Sequence, residues 1–331
     1  MSRSEHTAIL GVGSYRPSRV IPNSEVVEAI DSSDEWIQQR SGIKQRRWAT
    51  PEETIQLMSV AAARGALEQA GIDGSQIGVV IVATVSHLLQ TPAVATLVAH
   101  ELGTQKAAAF DISAACAGFC YGVAMGSDIV KGGSADYALV IGVERLSDLT
   151  DLHDRGTAFI FADGAGAVVI GPSETPGIGP VVWGSDGEHF DFIRQREDWR
   201  DVVGTPDEPG TGLMPHLVMQ GNPVFRWASF EMAKVAQQAL EKAGITSAEL
   251  DVFVPHQANM RIIDAMARSM KLPAHVRIAR DIADQGNTSA ASIPLALDRM
   301  LADGEAKSGD RALFIAFGAG LAYAAQVVTV P

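Results

Sequence analysis

Apolar runs too continuous to alternate mark the buried strands of this chain. Ile77 to Ala83 (IGVVIVA) and Leu250 to Pro255 (LDVFVP) are of the kind found in parallel or mixed sheets covered on both faces. Each follows a helical pattern that ends at glycine. Ala66-Leu67-Glu68-Gln69-Ala70-Gly71-Ile72 and Ala239-Leu240-Glu241-Lys242-Ala243-Gly244-Ile245 differ at one position and lie 173 residues apart. A second pair, Tyr137 to Val143 (YALVIGV) and Arg311 to Phe317 (RALFIAF), repeats at a spacing of 174. Two echoes at nearly one offset predict a duplicated fold, with halves 1–173 and 174–331. Strands alternate with helices across short Gly-containing connections, so the class is α/β.

Local signals place the helix ends. Ser32 followed by Glu35 reads as a capping box, and Thr91-Pro92 as a cap ahead of an N1 proline. Gly71, Gly103 and Gly244 sit where left-handed C-terminal caps belong. Ser185 to Gly212 carries eight acids against three arginines, with several Gly and Pro, and is expected to be a solvated excursion.

Composition narrows the function classes. The 331 residues suit two domains or one large duplicated one. Hydrophobic residues at 47% and charged residues at 20% are ordinary globular usage, which sets aside disorder and coiled coil. A net charge of −13 argues against a generic binder of nucleic acid or anionic membrane. The two cysteines, Cys116 and Cys120, are too few for a disulfide framework and lack the companion ligands of a zinc site, so an intracellular, reducing compartment is expected. The start, MSRSEHTAIL, has no signal-peptide core. The longest uncharged stretch, Ser75 to Ala99, reads as strand, loop and helix rather than as a membrane span.

Three positions carry candidate chemistry. Cys116 follows an apolar strand (Ala107 to Phe110) and a tight turn, opening a Gly/Ala-rich helix whose dipole favours thiolate. The plain alternative is a cysteine that fills space, which describes Cys120. His256 directly follows a buried strand, where α/β sites collect, although a lone histidine is more often a satisfied core residue. Asn287 lies in a Gly turn entering a helix, near the position that the repeat makes equivalent to Cys116; an ordinary cap is the alternative. One internal symmetry brings all three to converging strand and helix ends. No G-x-S-x-G, P-loop, complete G-x-G-x-x-G or metal-ligand cluster competes.

The segments DISAACAGF, PHQAN and GNTSAASIP, with Phe317-Gly318-Ala319-Gly320, resemble the β-ketoacyl-acyl carrier protein synthase III family of the thiolase superfamily, with actinomycete-like details. Gly11-Val12-Gly13-Ser14-Tyr15-Arg16-Pro17, Ser33-Asp34-Glu35-Trp36-Ile37, Asp154-Arg155-Gly156-Thr157 and Asp163-Gly164-Ala165-Gly166-Ala167 extend the resemblance through essentially the whole chain. It implies a thiolase-like fold of two mixed-sheet halves in a layered αβαβα arrangement, and a cytoplasmic homodimer with no tightly bound cofactor. The implied reaction is a decarboxylative condensation of an acyl-CoA primer with malonyl-acyl carrier protein through a Cys116 thioester.

The resemblance also implies roles. His256 and Asn287 stabilise the enolate, the backbone N–H groups of Cys116 and Ala319 form an oxyanion hole, and Phe317 shields the site. Trp36 and Arg155 grip the CoA adenine, Arg40 and Ser32 lie near its pantetheine and phosphates, and Asn259 bonds the pantetheine arm. The acid-free tract Trp36 to Trp48, with Arg40, Lys44, Arg46 and Arg47, suits a phosphate-bearing ligand. Arg261 and Arg268, extended by Arg226, match carrier-docking positions, within a tract from His256 to Arg280 that has five basic residues and one acid. Thr91 replaces a phenylalanine that acetyl-preferring members contribute across the dimer interface, so branched or longer primers are expected. A polyketide starter-unit synthase or a non-decarboxylating acyltransferase on the same fold is the alternative.

Overall fold

The computed structural model describes residues 4–104 and 106–331. The first half contains β1 (His6–Tyr15), the ribbon β2 (Arg19–Pro22) and β3 (Gln45–Trp48) around α1 (Asp34–Ser41), then α2 (Ile55–Ala70), β4 (Ile77–Ala83) and α3 (Val94–Glu101). It continues with β5 (Ala108–Ile112), α4 (Gly118–Lys131), β6 (Tyr137–Arg145) and β7 (Asp163–Ser173). The second half opens with β8 (Val182–Gly184), the ribbon strands β9 (Ile193–Gln195) and β10 (Leu217–Met219) with α5 (Trp199–Val203) between them, and α6 (Gly221–Lys242). Then follow β11 (Val252–Pro255), α7 (Met260–Ser269), β12 (Arg277–Ile278), α8 (Ile282–Gln285), α9 (Ser292–Ala302), β13 (Arg311–Phe317) and β14 (Tyr323–Thr329).

The repeat seen in the sequence reappears as topology. One sheet runs β1-β7-β6-β4-β5, the other β8-β14-β13-β11-β12. In each, the strand next to one edge (β4 or β11) is parallel to both neighbours, and the other two pairings are antiparallel. The sheets therefore match strand for strand in order and direction.

Side-chain alternation sets the layers. Val79 and Ile81 of β4 face a central layer with residues of α4 and α9, whereas Val80 and Val82 face α2 and α3. In β11, Val252 and Val254 face the same central layer and Phe253 faces α6 and α7. Both faces of each strand are covered, which is why these runs are continuously apolar; each such side chain stabilises by about 1.5–3 kcal/mol. The result is the mixed-sheet, five-layered arrangement expected.

Three local expectations need correction. The N-cap of α1 is Ser33, which accepts the Trp36 N–H; Ser32 lies one residue too early. Pro92 is outside α3, whose cap comes from across the strand: the Asp111 carboxylate accepts the N–H groups of Val94 and Ala95 at 2.8 and 2.9 Å. The acidic stretch 185–212 is not merely a solvated excursion, because Ile193, Arg194, Gln195 and Trp199 form the wall of a cavity. Gly71, Gly103 and Gly244 are left-handed, as expected.

Candidate active site

Strand β5 ends at Ile112, and the chain passes through one 3-10 turn, Ala115–Ala117, before α4 begins at Gly118. Ala115 is left-handed at φ 46°, a conformation that disfavours any residue with a Cβ by ~1–2 kcal/mol. Strain of this kind persists only where the surrounding packing fixes it. Cys116 sits on this elbow, where two cavities of about 390 and 420 Å³ meet. The surroundings work against the dipole-stabilised thiolate expected from the sequence. Burial pushes the thiol up to about 12; a Ser289 hydrogen bond works against the shift and nearby Glu144 adds to it. Cys120 is buried behind it and plays no part in either cavity.

His256 follows β11 directly and is held at 2% exposure. Its Nδ1 lies 2.7 Å from Ser292 Oγ, and the Gln257 N–H donates to the same oxygen at 3.3 Å. The contact admits two tautomers, and in the one suited to a donor role in catalysis Ser292 Oγ donates to Nδ1. A neutral ring then carries its proton on Nε2. Burial pushes His256 down to about 3, so the ring is neutral at physiological pH. Phe317 packs on it edge to face, with ring centres 5.7 Å apart.

Asn287 is fixed by backbone bonds to the first half. Its N–H donates to Ile160 O, and its carbonyl accepts the Ala162 N–H, both at 2.9 Å. The side-chain Oδ1 accepts the Ser289 N–H at 2.9 Å, which leaves Nδ2 as the donor available to the cavity. Gly318 completes the group. A Cβ there would lie 2.7 Å from Cys116 N and 3.0 Å from Cys116 Cβ, so only glycine lets the 318–320 loop approach the elbow this closely. Ala319 lines the second cavity beside Cys116.

The first cavity is lined by Cys116, His256, Asn287 and Phe317 together with Trp36, Arg40, Arg155, Asn259 and Arg261. The Arg155 guanidinium lies 5.1 Å over the Trp36 ring, and Arg40 bonds Asn222 at 3.1 Å. Asn259 caps α7 through Oδ1 and donates from Nδ2 to Arg40 O at 3.1 Å. Arg261 stacks on Phe225 at 5.0 Å. Arg226 and Arg268 are exposed on α6 and α7, outside the cavity.

Other expectations fare differently. Ser32 does not line the cavity, and its Oγ is buried without a partner. Of the basic tract, Arg46 is fully buried and bonds Asn23 and the carbonyls of Ile21 and Phe159, and Arg47 donates to Pro17 O at 2.8 Å. Only Arg40 of the four faces the cavity. Thr91 is exposed and lines neither cavity of this single chain. The second cavity is bounded by Val85, Leu88, Leu89, Leu146, Leu149 and Leu217, with Gln90 and Trp199. Sequence reading missed Ser292, Ser289 and Glu144; the last sits one residue beyond an apolar run, a strand-end signal of the kind that identified His256.

A thiol-bearing elbow from one half and an imidazole and amide from the other, joined at one point between two matching sheets, define a thiolase-like condensing enzyme. Comparison with known proteins narrows the class. A family model described as 3-oxoacyl-[acyl-carrier-protein (ACP)] synthase III matches residues 110–187, and its C-terminal companion matches residues 240–330. The chain is 62% identical to β-ketoacyl-[acyl-carrier-protein] synthase III 1 of Streptomyces coelicolor, over 98% of this chain and 97% of the relative. It is 54% identical to the synthase III of Mycobacteroides abscessus, over 98% and 94%. Among solved structures, the priming β-ketosynthase of the R1128 polyketide biosynthetic pathway superposes with a TM-score of 0.96 at 48% identity, covering 100% and 98% of the two chains. The synthase III of Aquifex aeolicus follows with a TM-score of 0.89 at 37% identity, covering 98% and 99%. The chain belongs to the β-ketoacyl-[acyl-carrier-protein] synthase III family and is an acyltransferase of the condensing class.

Proposed function

We propose that the chain condenses an acyl-CoA primer with malonyl-acyl carrier protein, forming a β-ketoacyl-carrier protein that starts fatty acid synthesis. The observation that carries this reading is the meeting of Cys116, His256 and Asn287 in one cavity that also holds the Trp36–Arg155 pair. Cys116 attacks the primer thioester and keeps the acyl group as a polarisable, still activated thioester. Its own N–H and that of Ala319 receive the oxyanion; removing one such donor typically loses about 3 kcal/mol of stabilisation. Decarboxylation then builds negative charge on the malonyl thioester oxygen. The His256 Nε2–H and Asn287 Nδ2–H are neutral donors, so they stabilise the enolate without protonating its carbon. Phe317 keeps water off the intermediate.

Trp36, Arg155, Arg40 and Asn259 hold CoA in the first cavity, and the second takes the primer acyl chain. Strand β5 ends its sheet with one edge unpaired, and Leu88, Leu89 and Leu97 are exposed, features that suit a homodimer in which Thr91 reaches the partner's acyl cavity. We assign the enzyme to the cytoplasm and give it no resident cofactor, because both substrates are soluble and the chemistry derived above is carried by side chains and backbone N–H groups; no helix among the described residues is long and apolar enough to cross a membrane. We take 1–173 and 174–331 as the duplicated units.

A starter-unit synthase of a polyketide pathway is the second reading, favoured by the likeness to the R1128 priming enzyme. Intact-mass trapping of Cys116 adducts from a mixed acyl-CoA pool, with release of labelled carbon dioxide from malonyl carrier protein, tests both. Adducts of branched or longer acyl groups plus carbon dioxide release are expected. Absence of any Cys116 adduct refutes the mechanism, and a strict acetyl preference in wild type refutes the primer assignment.

A further inference from the structure

Arg46 of β3 is the largest side chain held wholly out of solvent among the described residues, and its guanidinium bonds no carboxylate directly. Nη1 donates to Ile21 O at 3.4 Å, and Nη2 donates both to Phe159 O at 3.1 Å and to Asn23 Oδ1. Burial pushes Arg46 down to about 10, so it stays charged at neutral pH. A buried cation of this kind is not needed for stability as such, since a well-packed apolar side chain of similar volume commonly serves as well. What it supplies is geometry. The planar fork binds acceptors from β2, from the turn after it and from the segment 155–162 at the same time.

Two walls of the first cavity meet at this fork. Asn23 passes the hold to α1: its Nδ2 donates to Asp34 Oδ1 at 2.6 Å and to Ile43 O at 2.8 Å, and α1 carries Trp36 and Arg40. The segment 155–162 supplies Arg155, whose guanidinium lies over Trp36, and Phe159, which packs edge to face on the same ring with centres 5.2 Å apart. Three successive carbonyls of that segment are each held by a different donor. Phe159 O accepts from Arg46, Ile160 O from the Asn287 N–H at 2.9 Å, and Phe161 O from Trp48 Nε1 at 3.1 Å. The Ala162 N–H closes the run on Asn287 O. A Cβ on Gly286 would lie 2.8 Å from both Ala162 Cβ and Arg46 Cβ, so the turn that presents Asn287 rests against Arg46 itself.

We propose that Arg46 is a positioning residue for both half-reactions, setting the Trp36–Arg155 clamp and the Asn287 amide at one fixed separation through the segment 155–162. Arg46 lines neither cavity and touches no substrate. It acts on the clamp through Asn23 and Phe159, and on the amide through the same Phe159 carbonyl, one residue from the oxygen that receives the Asn287 N–H. A shift of Phe159 O is therefore passed to both ends. Lysine keeps the charge but cannot reach the three directions of the fork, so Arg46→Lys separates geometry from electrostatics.

This role rests on the condensation proposed above, and the experiment separates the two. For wild type, Arg46→Lys and Trp48→Phe, Cys116 acylation is measured with isobutyryl-CoA and with isobutyryl-pantetheine, and carbon dioxide release with malonyl-carrier protein. The pantetheine ester lacks the adenine nucleotide and so does not need the clamp. Arg46→Lys should raise KM for isobutyryl-CoA about 10-fold and slow carbon dioxide release about 10-fold, while saturating isobutyryl-pantetheine acylates it within about twofold of wild type. Trp48→Phe removes only the bond to Phe161 O, at the Asn287 end, and should slow carbon dioxide release several-fold with KM for isobutyryl-CoA unchanged. Wild-type values in Arg46→Lys overturn the role, as does a loss confined to one half-reaction or a loss equal with both primers, which marks a general disturbance of the fold. If Arg46→Lys does not fold, Trp48→Phe decides, and carbon dioxide release at the wild-type rate overturns the role. A wild type that takes no acyl group on Cys116, or releases no carbon dioxide, overturns the parent reading instead.

Discussion

Ala115 and Ser289 hold the same left-handed backbone, φ 46° and 47°, at corresponding turns of the two halves. Each elbow leans on the strand end of the other half. Gly318, after β13, abuts Cys116, and Gly142, near the end of β6, abuts Ala290, the residue after Ser289. The repeat thus supplies a frame with two elbows and two strand ends, and the residues at those four positions differ in chemistry. One elbow presents a thiol and the other a hydroxyl; one strand end offers an acid and the other only backbone.

Glycine at 318 is therefore tied to activity rather than to the fold. Gly318→Ala should lower acylation by at least ~100-fold, the scale of a lost oxyanion donor, because its Cβ displaces Cys116 N. The thermal midpoint should move little, since the 318–320 loop borders a cavity. By contrast, Gly142→Ala forces a Cβ against Ala290 O at 2.2 Å inside the core and should destabilise by ~1–3 kcal/mol. Acylation rate and thermal midpoint, measured on both variants, check the contrast; a collapse of stability in Gly318→Ala would contradict it.

Ser292 orients His256, so its removal should affect decarboxylation more than acyl transfer. In Ser292→Ala the ring loses the hydroxyl that holds its proton on Nε2. Carbon dioxide release from malonyl carrier protein should fall ~10- to 100-fold, while Cys116 acylation falls several-fold at most. Equal losses in both half-reactions would place the effect in packing instead.

How far the sequence reached follows from the range of each cause. The strands Ile77–Ala83 and Arg311–Phe317 and the repeat were legible because alternation and covering are local patterns. Cys116, His256 and Asn287 were legible because strand-to-turn-to-helix junctions are local too. Arg46 was misread as a phosphate ligand because counting charges along a segment does not show that one of them points into the core. The surroundings of the Cys116 thiol were only half legible for a related reason: the helix dipole is written in the next few residues, whereas desolvation depends on the opposite half. Glu144 lay one residue past the run read as YALVIGV, and only the fold brings the turn that holds Ser289 against its strand.

The pH dependence of stability isolates His256. Its folded value, about 3, lies below its ordinary 6.5, so between these the unfolded chain binds a proton that the native site refuses. Its contribution to stability is therefore present above pH 6.5 and is lost as pH falls. Glu144, raised from 4.5 to about 7, and Asp163, raised from 3.8 to about 6, act with the opposite sign: their native states retain protons that the unfolded chain has released, and that advantage disappears as pH rises through 6 to 7. Both carboxyls remain in His256→Gln, so the difference between wild type and variant reports the histidine. Wild type should lose more of its thermal midpoint than His256→Gln between about pH 7 and 5. Parallel loss in the two proteins would show that the ring is charged in the native state.

Charge on α7 separates the two substrates. Arg277 is paired with Asp310 at 2.7 Å and Arg280 with Asp264 at 2.8 Å, which leaves Lys271 and the two arginines of α7, Arg261 and Arg268, without an acidic partner among the described residues. The two are not equivalent. Arg261 stacks on Phe225 and lines the first cavity, whereas Arg268, about two turns further along the same face of α7, is exposed outside it. Reversal of Arg268 should raise KM for malonyl-carrier protein ~10-fold and leave Cys116 acylation by acyl-CoA as it was, with the effect shrinking at high salt. Reversal of Arg261 should raise KM for both substrates, because a carboxylate there also opposes the CoA phosphates. Steady-state kinetics with each substrate varied in turn, at two ionic strengths, checks this division, and an Arg268→Glu enzyme with unaltered, salt-independent carrier kinetics would remove α7 from the docking surface.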